Sequence, residues 1–116
     1  MDDIIYYDFA KEFTPNPGLR FRRLSDFSGE EFRESVLERI FKEKKKITIN
    51  VEGVESSLGS SFLSEAFGTI AVKYGLETFN NTVKIDISTP KGRVTNTEMI
   101  ERINEAIKKH KLSGKK

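Results

Sequence analysis

Residues 47–68 read ITINVEGVESSLGSSFLSEAFG. Lys46 to Val51 is short and rich in β-branched side chains, which suit the pleated surface of a buried strand. A polar turn follows. A helix then opens on Ser60 and Ser61 and runs from about Ser61 to Tyr74. Its apolar residues, Phe62, Ala66, Phe67, Ile70, Ala71 and Tyr74, recur at helical spacing, and Gly75 is a natural stop. The stretch is therefore strand, turn and helix. Its paired serines stand at the positive end of the helix dipole, where a phosphate is tolerated.

The flanks extend the same pattern. Ile4 to Phe9 carries the β-branched and aromatic types of a strand. Thr14-Pro15-Asn16-Pro17-Gly18 makes a turn, and Leu19 to Leu24 (LRFRRL) resumes an extended alternation, so a hairpin is expected. Ser28-Gly29-Glu30-Glu31 is a capping box. It opens a helix with Phe32, Val36, Leu37, Ile40 and Phe41 on one stripe, finished by Lys44, Lys45 and Lys46. Thr82 to Ser88 alternates as a strand. Thr95-Asn96-Thr97-Glu98 is a second capping box, before a helix carrying Met99, Ile100, Ile103, Ala106 and Ile107. The order is β-β-α-β-α-β-α, an α/β fold. Strands alternating with helices favour a sheet with parallel members and right-handed crossovers. One domain is expected over residues 1–110, followed by a flexible basic tail over 111–116.

Composition narrows the function. The 116 residues suffice for one core. A net charge of +2 gives no strong field for nucleic acid or membrane. Cysteine is absent, which excludes disulfides, thiolate metal sites and cysteine nucleophiles and fits a reducing cytoplasm. No apolar run approaches the ~20 residues of a membrane span, and the start MDDIIYYDF is acidic where a signal peptide is basic. A cytoplasmic protein with no membrane contact is expected.

Two passages carry a family resemblance. SGEEFRE (residues 28–34), preceded by PGLRFRR (residues 17–23), and VEGVESSLGSSFLSEAFG (residues 51–68) together resemble a STAS-like bacterial family of unknown function. That family is related to the STAS domains of anti-sigma-factor antagonists. The resemblance spans roughly Pro17 to Ile87. It implies a single domain with a mixed sheet of four or more strands and helices packed on one face. It also implies a mechanism. In the antagonists a strand leads into an Asp-Ser-Ser/Thr-Gly turn whose first hydroxyl is phosphorylated by an ATP-dependent kinase, and the phosphate blocks that kinase's binding. The corresponding turn here is Gly59-Ser60-Ser61-Phe62. Ser60 matches the phosphoacceptor and Ser61 its neighbour, whereas Gly59 replaces the acid and Phe62 the glycine.

The resemblance thus implies a regulatory domain that binds a protein partner, a GHKL-type ATPase or kinase, with Ser60 or Ser61 as phosphoacceptor. Gly59, Phe62, Ser64 and Glu65 complete the expected partner-binding set, with Phe62 as an apolar contact. The structural alternative is that the serines only cap the helix, Ser61 serving as the cap. Phe62, Phe67 and Tyr74 form either a docking strip or core. Arg20, Arg22, Arg23, Lys91 and Arg93 make a nucleic-acid surface the disfavoured alternative, because Phe21 is the one aromatic interleaved with them. A further alternative is self-association through an edge strand or the phenylalanine-bearing helix. No catalytic set is recognisable: the single histidine, His110, lies in the tail, and Ser60 has no identifiable base. No cofactor or metal is expected.

Overall fold

A computed structural model describes residues 4–21, 23 and 26–114. Strand β1 is Ile4–Asp8, and the short helix α1, Phe9–Glu12, follows without a break. Helix α2 is continuous through Gly29–Phe32, a widened π-type segment Arg33–Leu37, and Glu38–Lys42. Strand β2 is Lys46–Asn50. Helix α3 repeats the design of α2: Ser60–Leu63, a π-type segment Ser64–Gly68, and Thr69–Tyr74. Helix α4 (Leu76–Thr82) leads directly into β3 (Val83–Ile85), and α5, Pro90–Gly114, closes the chain.

Among the described residues the sheet has three strands, all parallel, in the order β1-β2-β3. Side chains alternate across a strand, so register sorts them by face. Ile5, Ile47 and Val83 form one cross-strand row, and Tyr7, Ile49 and Ile85 the next. All but half-buried Ile5 are buried on this face, under the helices. The opposite row, Tyr6, Thr48 and Lys84, looks outward, and Tyr6 is 75% exposed. The helices therefore cover one face, as the resemblance implies.

Among the described residues the sheet is neither mixed nor four-stranded, contrary to expectation. The extended pattern expected over residues 19–24 lies partly outside the described residues, and its described part is irregular. The reason is where its backbone bonds go. Gly18 N–H donates to Phe27 at 2.8 Å, while Leu19 and Arg20 accept from Gly29 and Glu30, each at 2.9 Å. The segment clamps the start of α2 instead of pairing with β1.

Two elements start or stop elsewhere than expected. The strand expected to reach Ser88 ends at Ile85. Asp86 N–H still donates to Ile49, but the Asp86 carboxylate then accepts from Ser88 N–H and turns the chain. Helix α5 begins at Pro90 rather than after Thr95. Thr89 caps it, its hydroxyl accepting from Gly92 N–H at 3.0 Å, and Pro90 fits the first helical position. Thr95 lies inside this helix, with its hydroxyl bonded back to Lys91 carbonyl. The boundary expected at residue 110 also falls inside α5.

Phenylalanines dominate the core. Phe9, Phe32, Phe62, Phe67 and Phe79 are fully buried. Phe32 is central, with ring centroids 5.2 Å from Phe9, 6.0 Å from Phe62 and 5.9 Å from Phe67. It ties β1's exit, α2 and α3 together. Gly29 permits the closest of these approaches: a Cβ there would meet the Phe62 carbonyl oxygen at 2.8 Å. The absent side chain is what lets α2 and α3 touch.

Candidate functional site

Because all three strands run the same way, the chain leaves their carboxyl ends on one rim. In open α/β sheets such a rim is the usual place for a ligand or partner. Residues 51–59 leave this rim from the central strand β2 and deliver the chain to Ser60. The loop is held down. Val54 and Leu58 are buried, Glu55 N–H donates to Pro15 at 2.8 Å, and Lys91 Nζ donates to the Val54 carbonyl. Val54 N–H closes a turn onto Val51 at 3.1 Å. On the neighbouring strand, hydrogen bonds from Ser88, then from Asn50, hold the Asp86 carboxyl below the usual carboxylate range.

Ser60 is exposed and Ser61 half-buried, both in the first turn of α3. The cap itself is Gly59, extended at φ −69° and ψ 162°, with no side-chain hydrogen bond to the helix. The expectation that Ser61 caps the helix is therefore corrected: a residue without a side chain stands there, and both serines lie inside the turn. Gly59 is exposed, and its carbonyl accepts from Leu63 N–H at 2.9 Å.

The other expected site residues divide by burial. Phe62 is fully buried, its ring 5.8 Å from Phe9 and 6.3 Å from Phe13. It is core, not a surface contact. Phe67 is buried as well, and Tyr74 is half-buried and stacked on Phe41 at 4.6 Å. Phe62 and Phe67 thus belong to the core, and Tyr74 packs against it. Ser64 is half-buried one turn beyond Ser60. Glu65 is buried, and Arg33 Nη2 holds its carboxylate at 2.8 Å.

That ion pair belongs to a network that sequence reading missed. Arg33 and Glu65 stand in the two π-type segments and join α2 to α3. Arg33 also lies 3.8 Å from Glu38, which accepts from Lys73 Nζ at 2.9 Å and from Tyr74 hydroxyl at 2.9 Å. Burial pushes Glu38 upward, but bonds from Lys73 and Tyr74, with the charges of Lys73 and Arg33, outweigh it and hold the carboxyl below its ordinary value. Arg33 and Glu65, like Glu38 and Lys73, are more than thirty positions apart, so no local spacing announces these pairs.

The described residues of the disfavoured basic surface have other partners. Lys91 is engaged with Val54, and Arg93 Nη1 donates to the Ile87 carbonyl at 3.2 Å. Arg20 and Arg23 lie over the Phe21 ring, at 5.9 and 5.5 Å from its centre, and Arg22 lies outside the described residues. Among the described residues no cluster of histidine, cysteine or acidic side chains could hold a metal ion, and no helix is long and apolar enough to cross a membrane.

The family follows from comparison. Residues 28–91 match the model of the STAS-like domain of unknown function, from the cap of α2 to the first turn of α5. That is more than half of the chain, and the chain belongs to this family. No curated protein and no solved structure matches it.

Proposed function

We propose that this STAS-like domain is a non-catalytic regulatory module that docks a protein partner at the carboxyl rim of its sheet. The contact surface is Gly59, Ser60 and Ser61 with the adjoining turn of α3, and Ser64 extends it. The observation that carries the reading is the exposed Ser60 hydroxyl, presented at the start of a long helix by a loop anchored through Val54 and Leu58. A phosphate on Ser60 would add about −1.5 to −2 charges at the positive helix end. Such a charge is compatible with the fold and reverses the sign of the docking surface. The resemblance to anti-sigma-factor antagonists makes a GHKL-type ATPase or kinase the partner of choice, with a cytoplasmic setting. The buried Phe62 and Glu65 act only by holding the helix in place.

The test is to incubate the purified domain with ATP and a GHKL-type ATPase encoded beside it, then map phosphate by intact mass and peptide sequencing. Phosphate on Ser60, lost in Ser60→Ala, supports the switch. A stable complex without phosphate leaves a docking module whose serines are unmodified. Neither phosphate nor complex refutes the proposal.

Self-association through β1 is the second reading, favoured by the 75% exposure of Tyr6 and the 45% exposure of Ile4 on the open face. Sedimentation at several concentrations tests it, and a concentration-independent monomer removes it.

A further inference from the structure

A cleft of about 330 Å³ lies between α3, α5 and the loop that precedes α2. It adjoins the Ser60 surface and shares Ser64, one turn along α3, with it. Two elements send cations to it: Arg20 from the loop, and Arg102 and Lys109 from α5, against the carboxylate of Glu105. Ser64 and Thr69 add hydroxyls, and Val72 and Ala106 add an apolar wall.

Two features make this more than a charged surface. The Arg20 backbone is held by the clamp on α2, its carbonyl accepting from Glu30 N–H at 2.9 Å, and its guanidinium lies over the Phe21 ring, 5.9 Å from the centre. Arg102 is half-buried, and one of its terminal nitrogens pairs with Glu101 and Glu105 at 3.3 and 3.2 Å. Its Nε is buried with no hydrogen-bond partner. A guanidinium N–H without an acceptor costs free energy; this one is shielded from solvent, so a ligand oxygen satisfies it once the half-buried Arg102 side chain swings toward the cleft. Guanidinium groups match the spaced oxygens of phosphate, and hydroxyls supply further donors. The volume sits at the lower end for small-molecule sites, larger than a bare phosphate requires.

We infer that this cleft binds a small phosphorylated molecule, its phosphate monoester held by Arg20 and Arg102 and its organic part resting on Val72 and Ala106. Lys109 contributes charge at the mouth. The site is independent of any modification at Ser60, so either proposal can fail without the other.

The experiment is a titration of the full chain followed by backbone amide chemical shifts, with phenyl phosphate and inorganic phosphate as probes at constant ionic strength. Chloride is the matched control. Saturable shifts centred on Ser64, Thr69 and Arg102, with phenyl phosphate binding more tightly than inorganic phosphate, are expected. R102Q should weaken binding about tenfold or more, the loss of a charge-assisted contact. Because Arg102 is half-buried, R20Q/K109Q serves as a second variant that leaves it in place, and its circular dichroism should match wild type. Shifts no larger than those from chloride overturn the inference. So do saturable shifts that R20Q/K109Q leaves unchanged. Equal affinity for the two probes removes the organic part and overturns the stated ligand class.

Discussion

Truncating Phe62 gives the sharpest separation of core from surface in this chain. The residue sits between exposed Ser60 and half-buried Ser64, yet its ring is fully buried against Phe9, Phe13 and Phe32. Phe62→Ala removes the ring contacts and leaves a cavity, a change that costs about 3–5 kcal/mol in buried sites. A domain of this size is stable by about 5–15 kcal/mol, so the loss is about a fifth of the total or more. At roughly 4 °C per kcal/mol, the melting temperature falls by about 12–20 °C. Phe62→Leu keeps most of the volume and forfeits the aromatic geometry, for about 1–2 kcal/mol. Ser60→Ala, two residues away, should move stability by no more than about 0.5 kcal/mol. Urea unfolding followed by circular dichroism at constant pH measures all three. A Phe62→Ala protein within about 1 kcal/mol of wild type refutes the placement of Phe62 in the core.

Gly29→Ala sets a methyl against the Phe62 carbonyl 2.8 Å away, and backbone cannot swing aside as a side chain can, so a loss of about 1–3 kcal/mol in urea unfolding is expected. Gly75, at φ +95° and ψ 148°, occupies a region almost closed to other residues, and Gly75→Ala should cost about 1–3 kcal/mol by thermal melting. Glu38 has a folded pKa below its ordinary 4.5, so its pairing stabilises the fold above that pH and the contribution disappears as pH falls through the folded value. Wild type should therefore exceed Glu38→Gln in stability at pH 7, with the gap closing as pH falls below the ordinary 4.5. A gap of constant size across paired urea titrations would count against the network.

Much of the matched region was legible in the sequence because its signals are local. Ser28 Oγ accepts from Glu31 N–H at 3.0 Å, as the capping box predicts, and the isoleucines of β2 point inward on alternate positions. Helix α3 stops at Gly75 for the reason its positive φ makes plain. Misreadings arose where local chemistry had two uses. LRFRRL alternates like a strand, but its carbonyls are spent on the amides of Gly29 and Glu30. Thr95 to Glu98 spells a cap inside a helix that Thr89-Pro90 had already begun. Asp8 carried a readable signal that went unused: its carboxylate accepts from Lys11 N–H at 3.2 Å and starts α1. At the candidate site, the position of Ser60 was legible and the burial of Phe62 was not. Burial there depends on Phe9 and Phe32, far away in the chain, and the Arg33–Glu65 pair is equally non-local.

The all-parallel sheet has a consequence for synthesis. Ile4 pairs beside Lys46, so β1 has no strand partner until β2 has been made and has left the ribosome. At about 5–20 residues per second, the apolar run IIYYDF waits on the order of seconds with its backbone groups unmatched. Only the third strand, still later in the chain, completes the sheet. Until β2 emerges, β1 therefore presents unpaired strand edges, and a chain halted between the two strands is more prone to aggregate than one halted after Asn50.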